Sequence, residues 1–492
     1  MIAPSLTTKD RAPLGWAEPA IGYNRALSTL RSNKSTHQHC DALKGMPRTL
    51  TFEYLLTPAG LEKGRRISIA DDGRITSIDA VESGPWDGTL ALPGMPNAHS
   101  HAFQRALVGV PETRATDSFW SWREAMYAVA NALEPEDLRV VASQAFSEML
   151  RGGFTSVAEF HYLHHARDGS RTVDMALAVW EAARDIGIRM TLLPVLYQRG
   201  GFNRAPAPEQ RRFIHDSLEE FGRLLEQLRE VKCGVAPHSL RAVALETLPE
   251  LVTLADQLLG PRAPLHIHVS EQIREVNECR ATYGRPPIRC LDDTVQLDER
   301  WTLVHATHAE PEEVQLIHAR RANLVLCPLT EAYLGDGLFA LPEFVARGGT
   351  FAVGSDSNAR IDAIDELRWS EYGQRLAAHK RSVLSGTLGL GLPLWREAAE
   401  TGGRALGQPV GRLAPGAFAD IVVIDLEDSL FLGVTPENIL DAWLTGGSAV
   451  QIDSVYVGGE RRVEHARDRR EGGRVPRSVA ARVRGVSAPG TE

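Results

Sequence analysis

The sequence predicts an α/β protein: a (β/α)8 TIM-like barrel inserted in a small β-sandwich domain built from both chain ends. The middle of the chain alternates helical and strand patterns, the mark of βα units. Both ends carry Val- and Ile-rich β patterns bounded by glycines. Histidines and acids recur where the middle strands should end, which is where such a barrel places its active site.

The chain has 492 residues, 43% of them hydrophobic, so it can bury a large core. A single barrel uses about 250 residues, which leaves room for a second domain. The formal net charge is -9, with no basic block suited to nucleic acid. Cys40, Cys233, Cys279, Cys290 and Cys327 are scattered, odd in number and lack CxxC spacing. That argues against a disulfide framework and fits a reducing compartment. No apolar run approaches the roughly 18 residues of a membrane span. The N-terminus has no signal-peptide core. The expected location is the cytoplasm, with a small molecule as the partner.

Residues 1–45 mix Pro, Ser, Thr, Asn and charge without a period, so a poorly ordered extension is expected. The His37, Gln38, His39, Cys40 tract is read as part of that solvated arm. Met46 stands directly before the first patterned segment; the expectation is that Met46 is the native start or that 1–45 is a dispensable extension. RRISIADDGRITSIDA then reads as strand, Asp72-Gly73 turn and strand, with Ile67, Ile69, Ile75 and Ile78 apolar. Leu413 to Asp428 and Val450 to Val463 match it at the other end. The sandwich is expected over 46–93 and 410–465, the barrel over 94–409, and a C-terminal tail over 466–492.

Within the barrel, Pro135 to Leu150 has Leu138, Val141, Ala142, Ala145 and Met149 at helical spacing, stopped by Gly152 and Gly153. Thr172 to Ile186 is the next helix, ended by Gly187. Eight strands are read in order: LPGMPNAHSH, FTSVAEFHY, IRMTLLPVLY, KCGVAPHS, APLHIHVSE, WTLVHATHA, ANLVLCPLT and TFAVGSDS.

His99 and His101 sit two apart, and residues i and i+2 of a strand share a face. Both imidazoles can therefore reach one point, which suits a metal ion. Strand four ends with His238, and Arg241 follows. Strand five gives His266, His268 and Glu271, strand six His305 and His308, and strand eight Asp356. Alone, each is more often a structural histidine or a helix-capping carboxylate. Together at strand ends they point to a nitrogen/oxygen metal site with room for water.

These motifs resemble the amidohydrolase superfamily: HSH at 99–101, HVSE at 268–271, VHATH at 304–308 and GSDS at 354–357. Longer strings, PNAHSHAFQRAL, FWSWREAMY, APHSLRAV, HVSEQIREV, TEAYLGDG and ELRWSEYGQRL, resemble its formimidoylglutamate deiminases over roughly residues 46–465. The resemblance implies His99, His101, His268 and Asp356 as metal ligands, Glu271 as proton shuttle, and His305 and Asp356 as catalytic groups. It leaves His266 in a supporting role and His308 behind the ligands. Binuclear relatives need a lysine at the end of strand four; here that strand ends in Pro237 and His238, and Lys232 lies too far toward its start. One divalent ion per chain, Zn2+, is the implied cofactor. Two positions depart from the family pattern: Tyr333, where Asn is expected, and Asn358, where His is expected.

The implied reaction is hydrolysis of N-formimino-L-glutamate to N-formyl-L-glutamate and ammonia, a late step of histidine degradation. Two carboxylates on the substrate call for fixed positive charge, and arginine pairs with a carboxylate bidentately. Arg123 and Arg241 are placed for this, with Gln104, Tyr162 and His238 completing the hydrogen bonding. The family resemblance also implies a homodimer. The alternatives are another deaminase of the superfamily acting on a purine, pyrimidine or triazine ring, and a non-catalytic scaffold. The intact ligand set argues against the scaffold.

Overall fold

The computed structural model describes residues 48–109, 119–386 and 389–464. The expectations for 1–45, for Met46 and for 466–492 fall outside them.

The N-terminal β pattern forms β1 (Arg48–Thr57), β2 (Gly60–Ile69), β3 (Ile75–Ala80) and β4 (Gly88–Pro93). The β2–β3 hairpin turns at Asp72-Gly73 as expected, with Gly73 at φ 83° and Ile67 opposite Ile78. The barrel strands follow: β5 (Met95–Ser100), β6 (Phe154–His161), β7 (Arg189–Leu196), β8 (Ala236–Pro237), β9 (Leu265–Val269), β10 (Trp301–His305), β11 (Asn323–Leu326) and β12 (Phe351–Val353). The C-terminal β pattern gives β13 (Ile421–Ile424), β14 (Ile452–Val457) and β15 (Glu460–Glu464).

Strands from both ends join in one mixed seven-stranded sheet, in the order β15-β14-β13-β4-β1-β2-β3. Its centre is the antiparallel pairing of β4 with β13, which registers Leu92 opposite Val422. Phe52, Leu55, Ile67, Ile69, Ile75, Ile421 and Val423 form its own apolar core. Two residues lock this sheet to the barrel. Asp420, fully buried, takes both forks of Arg189 at 3.0 and 3.1 Å. Trp395 donates its indole N–H to the Pro93 carbonyl at 3.0 Å.

The barrel strands run parallel in two groups of four, β5-β6-β7-β8 and β9-β10-β11-β12. Parallel bridges between Val235 and Leu265 and between Ser100 and Asp356 join the groups on both sides, so the barrel closes. Every residue of β5 and β6 is buried, as expected for strands covered on one side by helices and on the other by the barrel interior. The strand read as KCGVAPHS is regular only at Ala236–Pro237. Its remainder still pairs: Gly234 donates to Leu192 and Val235 to Pro264.

Among the described residues, two α-helices separate β5 from β6: α1 (Phe119–Ala132) and α2 (Pro135–Arg151). In α2 the stripe Leu138, Val141, Ala142, Ala145 and Met149 is buried as the spacing predicts. A Glu134/Asp137 capping box starts the helix and Gly152 caps its end. The helix predicted to start at Thr172 begins at Asp174 and ends, as expected, at Gly187, with φ 81°. Among the described residues no helix is long and apolar enough to cross a membrane.

Candidate active site

The site lies where the barrel closes. Asp356 donates its N–H to the His99 carbonyl, and His101 donates its N–H to the Asp356 carbonyl, both at 3.0 Å. These bonds fix the end of β12 against the end of β5. Asn358, the departure from the family pattern, completes the clasp. Its amide nitrogen lies 3.1 Å from the Ser100 hydroxyl, 3.0 Å from the His101 carbonyl and 3.1 Å from the Asp356 carbonyl. Asn358 therefore supports the site from behind. Of the TEAYLGDG segment, Leu334 lines the cavity and Tyr333 does not.

Strand ends here also hold unusual backbone. Ser270, His305, Ala306, Asp356 and Asn358 all have φ between 45° and 70°. Such conformations cost energy in non-glycine residues and collect at functional sites.

The imidazoles converge. His99 Nε2 lies 3.1 Å from His101 Nε2 and 3.0 Å from His268 Nε2. Asp356 Oδ1 is 3.5 Å from His99 Nε2 and 3.3 Å from His101 Nε2. The outer nitrogens settle the tautomers. His101 Nδ1 faces the Phe160 carbonyl at 2.9 Å, and His268 Nδ1 faces the His238 carbonyl at 3.0 Å. A carbonyl only accepts, so each Nδ1 carries the proton and each Nε2 presents a bare lone pair. Lone pairs and a carboxylate aimed at one another repel unless a cation lies among them. The donor set thus fits a divalent ion of the zinc type.

Protonation agrees. Burial, then the neighbouring His99, pulls His101 down to about 3. His99 and His268 are also held well below the usual range, burial being the largest cause. All three are therefore neutral near pH 7, the form that ligates metals.

His305 differs. Burial alone would lower its pKa, but Glu331 bonded to Nδ1, together with Glu271 and Asp356, outweighs burial and raises it to about 10. Glu331 Oε1 is 3.2 Å from His305 Nδ1 and also accepts the Cys327 N–H. The ring is thereby turned so that Nε2 faces Asp356 Oδ2 at 3.7 Å. Donor atoms of His99, His268, His305 and Asp356 all lie within 4.8 Å of one another, with His101 alongside.

Glu271 follows β9. The backbone N–H groups of Ser270 and Glu271 are bonded by Glu275, not by the Glu271 side chain. That leaves the Glu271 carboxylate to Arg241, at 3.2 Å, and to the cavity. Arg241 Nε lies 3.8 Å from Glu275 and makes no hydrogen bond.

One cavity gathers the predicted residues. Asp356, His101, His268, His305 and Glu271 line it together with Gln104, Arg123, Tyr162, His238 and Arg241. Gln104 donates to the Tyr162 hydroxyl at 2.8 Å. Arg123 reaches Tyr127 at 2.6 Å and Tyr197 at 3.2 Å. His266 points elsewhere, its Nε2 on the Ala405 carbonyl at 2.8 Å, and His308 is not among the lining residues. Lys232 is exposed.

The sequence reading missed Tyr127, Tyr197, Gln210 and Glu331. Two signals were available: Tyr197 ends the third strand, and Tyr127 lies one helical turn beyond Arg123. Gln210 carried none, because it sits in the short turn Pro208–Gln210, far from any motif.

Comparison with known proteins agrees with this geometry. The model of the amidohydrolase family matches residues 90–462, and the chain belongs to that family. Within it, the chain is 43% identical over 424 residues to the formimidoylglutamate deiminase of Pseudomonas aeruginosa, covering 83% of this chain and 92% of that one. The 5-methylthioadenosine/S-adenosylhomocysteine deaminase of Natronomonas pharaonis is 28% identical over 411 residues, 80% of this chain and 87% of that one. A crystal structure of an amidohydrolase from Brucella melitensis superposes with a TM-score of 0.80 at 40% identity, covering 89% of this chain and 99% of that one. An adenosine deaminase from Xanthomonas campestris with bound zinc shares the fold, with a TM-score of 0.72 at 22% identity over 90% of this chain and 98% of that one.

Proposed function

We propose that the protein hydrolyses N-formimino-L-glutamate to N-formyl-L-glutamate and ammonia. The observation that carries this is one cavity lined both by a histidine/carboxylate cluster and by two arginines, Arg123 and Arg241. A diacid bearing an amidine has matching chemistry. The 43% identical relative named formimidoylglutamate deiminase supports the same reading.

In this reading His99, His101, His268 and Asp356 hold one divalent ion, Zn2+. Bound there, the ion would supply Lewis acidity and bring a water's pKa toward neutrality. Asp356 accepts the proton of the attacking water. Glu271, facing the same cavity, takes the second proton of that water from the newly bound oxygen and delivers it to the departing nitrogen. The new C–O bond and the broken C–N bond leave a formamide and ammonia. His305, its ring held by Glu331, presents Nε2 to the charge that develops at the reacting carbon. Arg123 and Arg241 pair with the carboxylates, while Gln104, Tyr162 and His238 complete the hydrogen bonding. The reading carries three further expectations: a late place in histidine breakdown, a cytoplasmic location and a homodimer.

A coupled ammonia assay over formimidoylglutamate, a formimino compound lacking carboxylates, and a set of nucleobases tests it, run alongside metal analysis. Ammonia from formimidoylglutamate alone is expected. Preference for a nucleobase, or for the compound without carboxylates, overturns the assignment.

A further inference from the structure

We infer that Tyr127 and Tyr197 donate their hydroxyl protons to a carboxylate of the substrate, and that Gln210 is the positioning residue that aims them. The inference rests on the proposed diacid substrate and names the groups that read one of its ends.

Tyr127 lies one turn after Arg123 on α1, and Tyr197 directly follows β7. Arg123 donates Nε–H to the Tyr127 oxygen at 2.6 Å and Nη2–H to the Tyr197 oxygen at 3.2 Å. Gln210 donates from Nε2 to the same two oxygens, at 3.1 Å and 2.8 Å. The Gln210 amide cannot be flipped, because its Oε1 accepts the Ala207 N–H at 2.8 Å. Gln210 is only 2% exposed, so water does not compete for these bonds.

A phenol oxygen accepts two hydrogen bonds and donates one. Here four N–H donors fill the acceptor positions of both phenols. Their own protons must go elsewhere. Among the described residues, the one protein acceptor in reach of either is the other phenol, whose lone pairs are already taken, so at most one proton can turn that way. Both side chains line the cavity that holds Arg123 and Arg241. Burial is the largest cause raising the pKa of Tyr127, which keeps its proton in place. Accepting two bonds, one from a guanidinium, also polarises each O–H and strengthens it as a donor. The result is a set of donors with no acceptor, which suits a carboxylate and disfavours a carboxamide, whose NH2 would meet other donors.

The test uses the metal-loaded protein with three substrates: formimidoylglutamate and its two monoamides, one at each carboxyl. The wild type should raise KM for one monoamide by about 30-fold or more, as expected when a buried donor loses a charged acceptor. Tyr127→Phe and Tyr197→Phe should each raise KM for the diacid by about 10-fold while kcat and metal content hold. The double variant should lose the discrimination between the diacid and that monoamide. Gln210→Glu keeps the shape but offers an acceptor to the two phenol protons. It should therefore raise KM at least as much as Gln210→Leu. Unchanged discrimination in the double variant, or a mild Gln210→Glu beside a severe Gln210→Leu, overturns the inference. If the double variant does not fold, the two Gln210 variants decide. A wild type inert toward formimidoylglutamate would instead sink the substrate assignment, which the assay reports separately.

Discussion

Two clusters of buried histidines lie at and beyond the ends of different barrel strands. One is His99, His101, His268 and His305 with Asp356. The other is His161, His164, His165 and His215, on and beyond β6. Their ring spacings overlap: 4.7 Å for His99–His101 and His99–His268 in the first, 4.7 Å for His164–His215 and 5.0 Å for His165–His215 in the second. Yet among the described residues only the first brings three or more donor atoms within 4.8 Å of one another.

The difference is orientation and charge. In the first cluster the backbone takes the outer nitrogens and leaves the inner ones converging on a carboxylate. In the second, His164 and His165 give Nε2 to the Val195 and Ile214 carbonyls, at 2.9 and 2.8 Å, and their remaining nitrogens do not converge. The nearest acid, Glu220, is 3.9 Å from His165 Nε2 and already paired with Arg171. Arg171 and Arg212 lie close enough to depress His165, after burial itself, which would also repel a cation. Histidine density therefore does not mark a metal site; a shared focus and a net negative surround do.

The largest test of this contrast is metal removal. Chelation should abolish turnover, and zinc at about one ion per chain should restore it. An anomalous map with the ion at the second cluster, or two tightly held ions per chain, would break the comparison. Next is Glu271→Gln, which keeps shape and hydrogen-bonding reach but cannot exchange the proton. Turnover should fall about 10²–10⁴-fold with the metal retained. A near-normal kcat would remove Glu271 from the mechanism. Arg241→Met follows: kcat/KM for formimidoylglutamate should drop about 30-fold or more, the cost of losing one buried charge-paired contact. Since Arg241 also pairs with Glu271, a fall in kcat as well as a rise in KM would show that it serves both partners.

The smallest effects belong to the second cluster. His215→Leu should leave metal content unchanged and alter stability at pH 7 by no more than about 1 kcal/mol, because neither ring nitrogen has a partner to lose. Acid should expose this cluster instead. Burial, the largest cause, brings His161 down to about 3 and His165 to about 4, against about 6.5 in the unfolded chain. The unfolded chain binds these protons first, so the stability they contribute is complete above pH 6.5. It is lost as pH falls through the folded values, by up to about 1.4 kcal/mol per pH unit for each histidine. Urea midpoints at pH 7 and pH 5 measure it. His215→Leu should flatten the decline, since His215 is likewise held well below its usual range by burial.

The sequence by itself determined the barrel, the two-ended sheet and the histidines and acids that stand at the barrel's strand ends. Period-two and period-3.6 patterns are local, and a metal site built on strand ends inherits its geometry from the strand period: His99 and His101 share a face because they are two apart. Glu271, His305 and Asp356 were legible for the same reason, each standing at or just past a strand end. Tertiary structure alone decided which side chains surround Arg123 in the cavity wall. Arg123 and Tyr127 stand one helical turn apart on α1, but Tyr197 comes from the end of β7 and Gln210 from a loop, and no periodicity relates those two to α1. It also decided which histidines converge, because ring orientation depends on carbonyls from other strands: Phe160 for His101, His238 for His268, Val195 for His164. It gave Asn358 its place as a clasp between β5 and β12, which a one-dimensional comparison could only register as a departure. Hydrogen-bond partners distant in sequence fix side-chain direction, and that information exists only once the chain has closed.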